Sequence, residues 1–103
     1  MNQFFAVFAT DKPGVLALRQ QLRASHRAYL RASDAHNVIV RLGGPTLDAA
    51  GQAMNGTLLV VEARGLAEVE QFVEADPYAQ AGLFAHVEIR PWNWSLGNPE
   101  LRG

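Results

Sequence analysis

The chain contains no cysteine, which removes disulfides, thiolate-held metals and a cysteine nucleophile from consideration together. A cysteine-free sequence fits a reducing compartment. Neither sign of charge is in excess: 9 Lys and Arg stand against 10 Asp and Glu, for a formal net charge of -1. A phosphate backbone rewards concentrated positive charge, so nucleic acid is not an expected partner. Long apolar runs are missing as well. The stretch from Met1 to Ala9 has no basic start, and its apolar run stops at Thr10-Asp11-Lys12, too short for a signal peptide or for the ~20 residues that span a bilayer. No membrane partner is expected, and the cytoplasm is the expected location.

What is present points to a packed core. With 103 residues, 49% of them hydrophobic, the chain has room for one domain over 1–103, with its core at about 3–92 and a C-terminal tail at about 93–103. Phe4 to Ala9 is short, wholly apolar and rich in aromatic and β-branched residues, the pattern of a strand buried on both faces. From Val15 to about Ser33 the spacing becomes helical. At 100° per residue Val15, Leu18, Leu22, His26, Tyr29 and Leu30 share one face, while Gln20, Gln21, Arg27 and Arg31 fall opposite.

Val38 to Leu42 reads as a strand stopped by Gly43-Gly44-Pro45, followed by a polar loop from Thr46 to Gly56. Thr57 to Ala63 is the next strand, antiparallel to it. Leu66, Val69, Phe72 and Val73 mark a second amphipathic helix ending near Ala75. Asp76-Pro77-Tyr78 interrupts it, Phe84 to Arg90 supplies the last strand, and an irregular tail begins at Pro91. The order β-α-β-β-α-β is the ferredoxin-like arrangement: an α+β fold with one antiparallel sheet and both helices on one face. The first strand is apolar at every position, so the other face of the sheet carries apolar residues too. A second copy packed face to face would cover them, and a homodimer is expected.

Several features in order resemble the YCII (YciI-like) family. They are Arg23-x-x-His26 with Tyr29 and Leu30, Gly43-Gly44-Pro45, Gly56, Asp76-Pro77-Tyr78 with Ala81-Gly82-Leu83, and Pro91-Trp92. Each is weak alone; their order within the β-α-β-β-α-β frame is more specific. The resemblance implies a dimeric α+β barrel with a pocket between helix and sheet, and an active-site pair at the positions of His26 and Asp76. A branch of the family is associated with eliminating halide from a chlorinated aromatic diol, so lyase-type proton abstraction is among the implied chemistries. The segment Leu47 to Asn55 departs from the family pattern and is expected to reshape the mouth of a pocket.

Each site residue also has a plain structural reading. His26, in the middle of an apolar stripe, is either a core histidine satisfied by a backbone carbonyl or a general base held by a carboxylate. Imidazole suits the second role because it takes and returns a proton near neutral pH. Asp76 before Pro77 has the form of a helix N-cap, and under the resemblance it reaches His26 as well. Arg23 either binds an anionic substrate group or pairs with a surface acid. Tyr78 is a ligand-facing phenol or a packing anchor. Gly44 and Pro45 are expected in a tight turn beside the substrate.

Three histidines without close ligand spacing make no metal site, and no dinucleotide or phosphate motif calls for a cofactor. The leading expectation is a small-molecule enzyme with a His26–Asp76 acid–base pair. The alternative is a non-catalytic module resembling ACT domains, suggested by Thr10-Asp11-Lys12-Pro13-Gly14-Val15-Leu16, in which that turn binds a small effector.

Overall fold

The computed structural model describes residues 2–100. Strand β1 (Gln3–Asp11) leads into helix α1 (Leu16–Arg31), and a single 3-10 turn (Ser33–His36) connects it to β2 (Ile39–Leu47). β3 (Met54–Ala63), α2 (Leu66–Glu74), the one-turn helix α3 (Pro77–Gln80) and β4 (Phe84–Trp92) follow. The strands form one sheet in the order β2-β3-β1-β4, with every neighbouring pair antiparallel. This is the ferredoxin-like α+β arrangement.

The period-2 alternation of β1 sets the layers. Phe5, Val7 and Ala9 are buried and stand opposite Val61, Leu59 and Thr57 of β3. Val69, Phe72 and Val73 of α2 complete the buried cluster, with Tyr29 and Leu30 of α1 packed at its margin. Each side chain of this size that is fully withdrawn from water contributes about 1.5–3 kcal/mol. The intervening residues of the central strands face the other side of the sheet, where Phe8, Leu58 and Leu42 remain exposed.

Three expectations are corrected here. Gly43-Gly44-Pro45 does not stop β2 but lies within it, paired with Leu59, Leu58 and Thr57. β2 is an edge strand, where a proline lacking its N–H is tolerated. At Gly43 a Cβ would stand 2.8 Å from the Leu59 side chain, so the absence of a side chain permits pairing rather than turning. The expected loop from Thr46 to Gly56 shrinks accordingly to a hairpin tip between Leu47 and Met54.

β4 likewise runs on through Pro91 to Trp92, again at a sheet edge. The irregular tail therefore begins at 93 rather than at Pro91. Its Trp94 is buried against Phe4, and residues 101–103 of the expected tail lie outside the described residues.

The third correction concerns α1. Its buried residues are Arg19 and His26, whereas Leu18, Leu22, Tyr29 and Leu30 are half-buried. Val15 is the N-cap and lies outside the helix. α1 therefore presents to the sheet a face that is polar at its centre, and a cavity opens there.

Candidate active site

His26 sits in the middle of α1, 6% exposed. Asp76 lies at the junction of α2 and α3, fifty residues later in the chain, and is 4% exposed. The fold brings them together: Nδ1 of His26 stands 2.9 Å from Oδ1 and 2.8 Å from Oδ2 of Asp76. The same Oδ1 accepts the backbone N–H of Tyr78 at 2.8 Å and caps α3, with Pro77 in the first turn. Both sequence readings of Asp76 therefore hold at once, since a carboxylate has lone pairs for both partners. With a carboxylate on Nδ1, the neutral imidazole carries its proton there and leaves Nε2 as an acceptor. Nε2 has no protein partner among the described residues and is not a buried unpaired atom, so it opens on the cavity that His26 lines.

Tyr78 is wholly buried. Its ring stacks on His26 with centroids 3.9 Å apart and planes 17° from parallel. It is thus a packing anchor and part of the cavity lining together. Burial raises its phenol pKa, with Arg19 opposing the shift. Tyr29 donates its hydroxyl to the carbonyl of Phe72 at 2.6 Å, and burial, reinforced by the charge of Asp76, pushes its pKa up to about 12. Both phenols are held neutral across the range in which a histidine titrates.

The cavity, about 370 Å³, lies between α1 and the β2 side of the sheet, within the range of small-molecule sites. Arg23, Gly44 and Pro45, the candidate substrate contacts, all line it, Gly44 and Pro45 from a strand and not from a turn. Arg23 has no carboxylate within ion-pair distance among the described residues. None of residues 47–55 lines the cavity, so the departing segment does not shape its mouth. His36 and His86 are exposed and do not line it. Among the described residues no three His, Asp or Glu side chains cluster as a metal site requires, and no helix is long and apolar enough to cross a membrane.

Sequence reasoning missed Arg19. It is 2% exposed, donates from Nε and Nη2 to the two oxygens of Asp11 at 2.6 and 2.9 Å, and bonds Thr57 at 2.8 Å. Its guanidinium lies 4.5 Å from the Tyr78 ring centroid, so it buttresses the face of Tyr78 and lines the cavity beside His26. The signal was present: Arg19 precedes His26 by seven residues, two helical turns on one face. Asp11, whose turn suggested effector binding, is committed to this ion pair. Arg27 and Arg31, assigned to the opposite face of the helix, also line the cavity.

A sequence model of the YCII-related domain matches residues 3–93. Among solved structures the chain is similar to the 5-chloro-2-hydroxyhydroquinone dehydrochlorinase of Burkholderia phenoliruptrix AC1100, in complex with 2,5-dihydroxybenzoquinone. The two are 38% identical with a TM-score of 0.78, over 87% of this chain and 93% of that one. Protein YciI of Escherichia coli is 26% identical over 92 residues, 85% of this chain and 94% of the relative. A dimeric protein of unknown function from Bacteroides fragilis, 16% identical with a TM-score of 0.57 over 90% of this chain and 96% of that one, shares the ferredoxin-like fold alone.

Proposed function

The chain belongs to the YCII-related family, and from that premise we propose that it is a small-molecule enzyme in which His26 is the acid–base catalyst and Asp76 its orienting partner. The observation that carries this reading is the buried contact of 2.8 Å between them at the wall of a cavity. Asp76 would fix the tautomer and stabilise the imidazolium formed when Nε2 takes a proton. Tyr78, stacked on the ring, would keep its plane fixed through the cycle, and Arg23 would contact an anionic part of the substrate.

The reaction we propose is elimination from a polyhydroxylated aromatic ring bearing a leaving group, by similarity to the dehydrochlorinase. His26 removes a ring hydroxyl proton, and the resulting phenolate accepts a proton at the carbon that bears the leaving group. That group then departs with the bonding electron pair as an anion, while a second hydroxyl loses its proton and the ring becomes a quinone. The ring is oxidised and the carbon–halogen bond is replaced by carbon–hydrogen within one molecule, so the step balances as loss of one acid without an external redox partner. The positive charge of Arg23, which has no carboxylate partner among the described residues and lines the cavity with His26, would favour the phenolate.

We also propose that two copies pair through the sheet face bearing Phe8, Leu42 and Leu58, which are 46%, 52% and 38% exposed. Apolar area of this kind favours association. A cytoplasmic location goes with this reading, on the cysteine-free composition.

Halide release from 5-chloro-2-hydroxyhydroquinone, followed by ion chromatography, tests the enzyme reading. The wild type is expected to release chloride, and His26→Gln to lose about 10²–10⁴-fold in rate while keeping its circular dichroism spectrum. Undiminished release by a folded His26→Gln protein would remove His26 from the chemistry.

A further inference from the structure

Resting on the reading of this cavity as a catalytic site, we propose that the substrate carries a carboxylate set apart from the reacting hydroxyl, and that Arg27 and Arg31, with Arg23, hold it.

The basis is a ladder of arginines. Between Leu16 and Arg31 helix α1 has Arg19, Arg23, Arg27 and Arg31 at four-residue spacing and no Asp or Glu at all. Four residues advance one turn plus about 40°, so the ladder climbs the helix while drifting around it, from the buried Arg19 to the exposed Arg31. Like charges at this spacing repel and weaken a helix. A purely solvated face would be better served by acids between them. All four arginines nevertheless line one cavity with His26, and Arg41 faces them from β2.

Among the described residues no Asp or Glu lines that cavity. Five of the chain's nine Lys and Arg residues are gathered there in a protein whose net charge is -1. Two of the five are neutralised: Arg19 by Asp11, and Arg41 by Glu62 and Glu100. Arg23, Arg27 and Arg31 have no carboxylate within ion-pair distance among the described residues.

The rise of the helix makes these three a cationic edge about 12 Å long, with His26 beside its lower half. A phenolate at His26 would meet Arg23 but leave Arg31 more than a turn away. A carboxylate on a short arm from the ring reaches the upper rungs, where the planar guanidinium fork matches its two oxygens.

Titration calorimetry at low salt compares 2,5-dihydroxyphenylacetate with its methyl ester, which has the same ring and arm without the charge. The acid is expected to bind the wild type about tenfold or more tightly than the ester, in keeping with charge-assisted pairing, and added salt to narrow the gap. In the double variant Arg27→Gln/Arg31→Gln the preference should fall to about twofold or less. It should survive in His26→Gln. Equal binding of the two probes, binding of neither, or a preference that persists in the double variant overturns the proposal. Because the readout is binding, the two readings fail separately. Undiminished turnover by His26→Gln with the preference intact removes the catalytic role and keeps the anion edge. Lost turnover without any preference does the reverse.

Discussion

The ring of Tyr78 lies 3.9 Å from that of His26, nearly parallel to it, while the backbone N–H of the same tyrosine donates to the carboxylate that holds His26. One residue therefore covers the face of the imidazole and orders the anion behind it. The buried groups around this pair depend on one another, and their dependence can be measured.

Asp76→Asn keeps an acceptor for the Tyr78 N–H, since asparagine is as good an N-cap as aspartate, but removes the negative charge from His26. We expect the fold to persist, the ¹⁵N shifts of the His26 ring to report a changed tautomer balance, and halide release to fall about 10²-fold or more. Asp76→Ala removes the cap as well and leaves the His26 N–H unpartnered, adding about 1–3 kcal/mol of destabilisation. Urea denaturation of the two variants separates these effects, and identical stabilities would contradict the capping role.

Arg19 and Asp11 form an ion pair with side chains 2% and 5% exposed. Arg19→Met strands a buried carboxylate and is expected to cost about 3–5 kcal/mol. Replacing both, as Asp11→Leu/Arg19→Met, should recover most of that loss, because no uncompensated charge remains. A double variant no more stable than Arg19→Met alone would show that the arginine stabilises by packing on Tyr78 instead.

Two glycines of the β2–β3 hairpin should respond unequally to alanine. A Cβ at Gly56 would collide with the Ala9 carbonyl and the Thr46 hydroxyl, and moving a backbone atom aside costs about 1–3 kcal/mol. A Cβ at Gly44 meets nothing within 4 Å, so Gly44→Ala should stay within about 0.5 kcal/mol of the wild type. Thermal unfolding of both proteins checks the contrast.

The tyrosines make stability pH-dependent at the alkaline end. The folded pKa of Tyr29 is raised from 10.0 to about 12, so its contribution is fully present below pH 10 and is lost as pH rises from there toward 12. Tyr78 is shifted in the same direction. Absorbance at 295 nm should therefore show less tyrosinate near pH 10 than two ordinary tyrosines would, while the far-ultraviolet dichroism remains native. Tyr29→Phe should flatten the loss of stability above pH 10. A tyrosinate signal at the ordinary pKa in folded protein would contradict the burial of both phenols.

If the second sheet face joins two copies, Leu58→Lys should yield monomers by sedimentation without unfolding them. Leu58 is already 38% exposed in the isolated chain, so the lysine head can reach water there. A wild type that sediments as a monomer would end the dimer proposal.

The sequence by itself determined the order of the elements, because strand and helix periodicities of 2 and 3.6 are local properties of the chain. It placed His26 in the middle of a helix and Asp76 before Pro77 at the start of one. It also brought Arg23, Gly44, Pro45 and Tyr78 into consideration for a site that all four do line. What it misjudged were places where a neighbour overrides local preference. Gly43-Gly44-Pro45 has the composition of a turn, but β3 supplies a pairing partner along its whole length, and only the sheet order makes β2 an edge where Pro45 is harmless.

Arg19 was overlooked for a related reason, although its spacing from His26 put the two on one face. An arginine on a helix is read as solvated, and the carboxylate, hydroxyl and ring that permit its burial come from β1, β3 and α3. The contact between His26 and Asp76 belongs to the same class. Nothing local joins residues fifty positions apart, and only packing of the α2–α3 junction against α1 excludes the water that would otherwise solvate both groups.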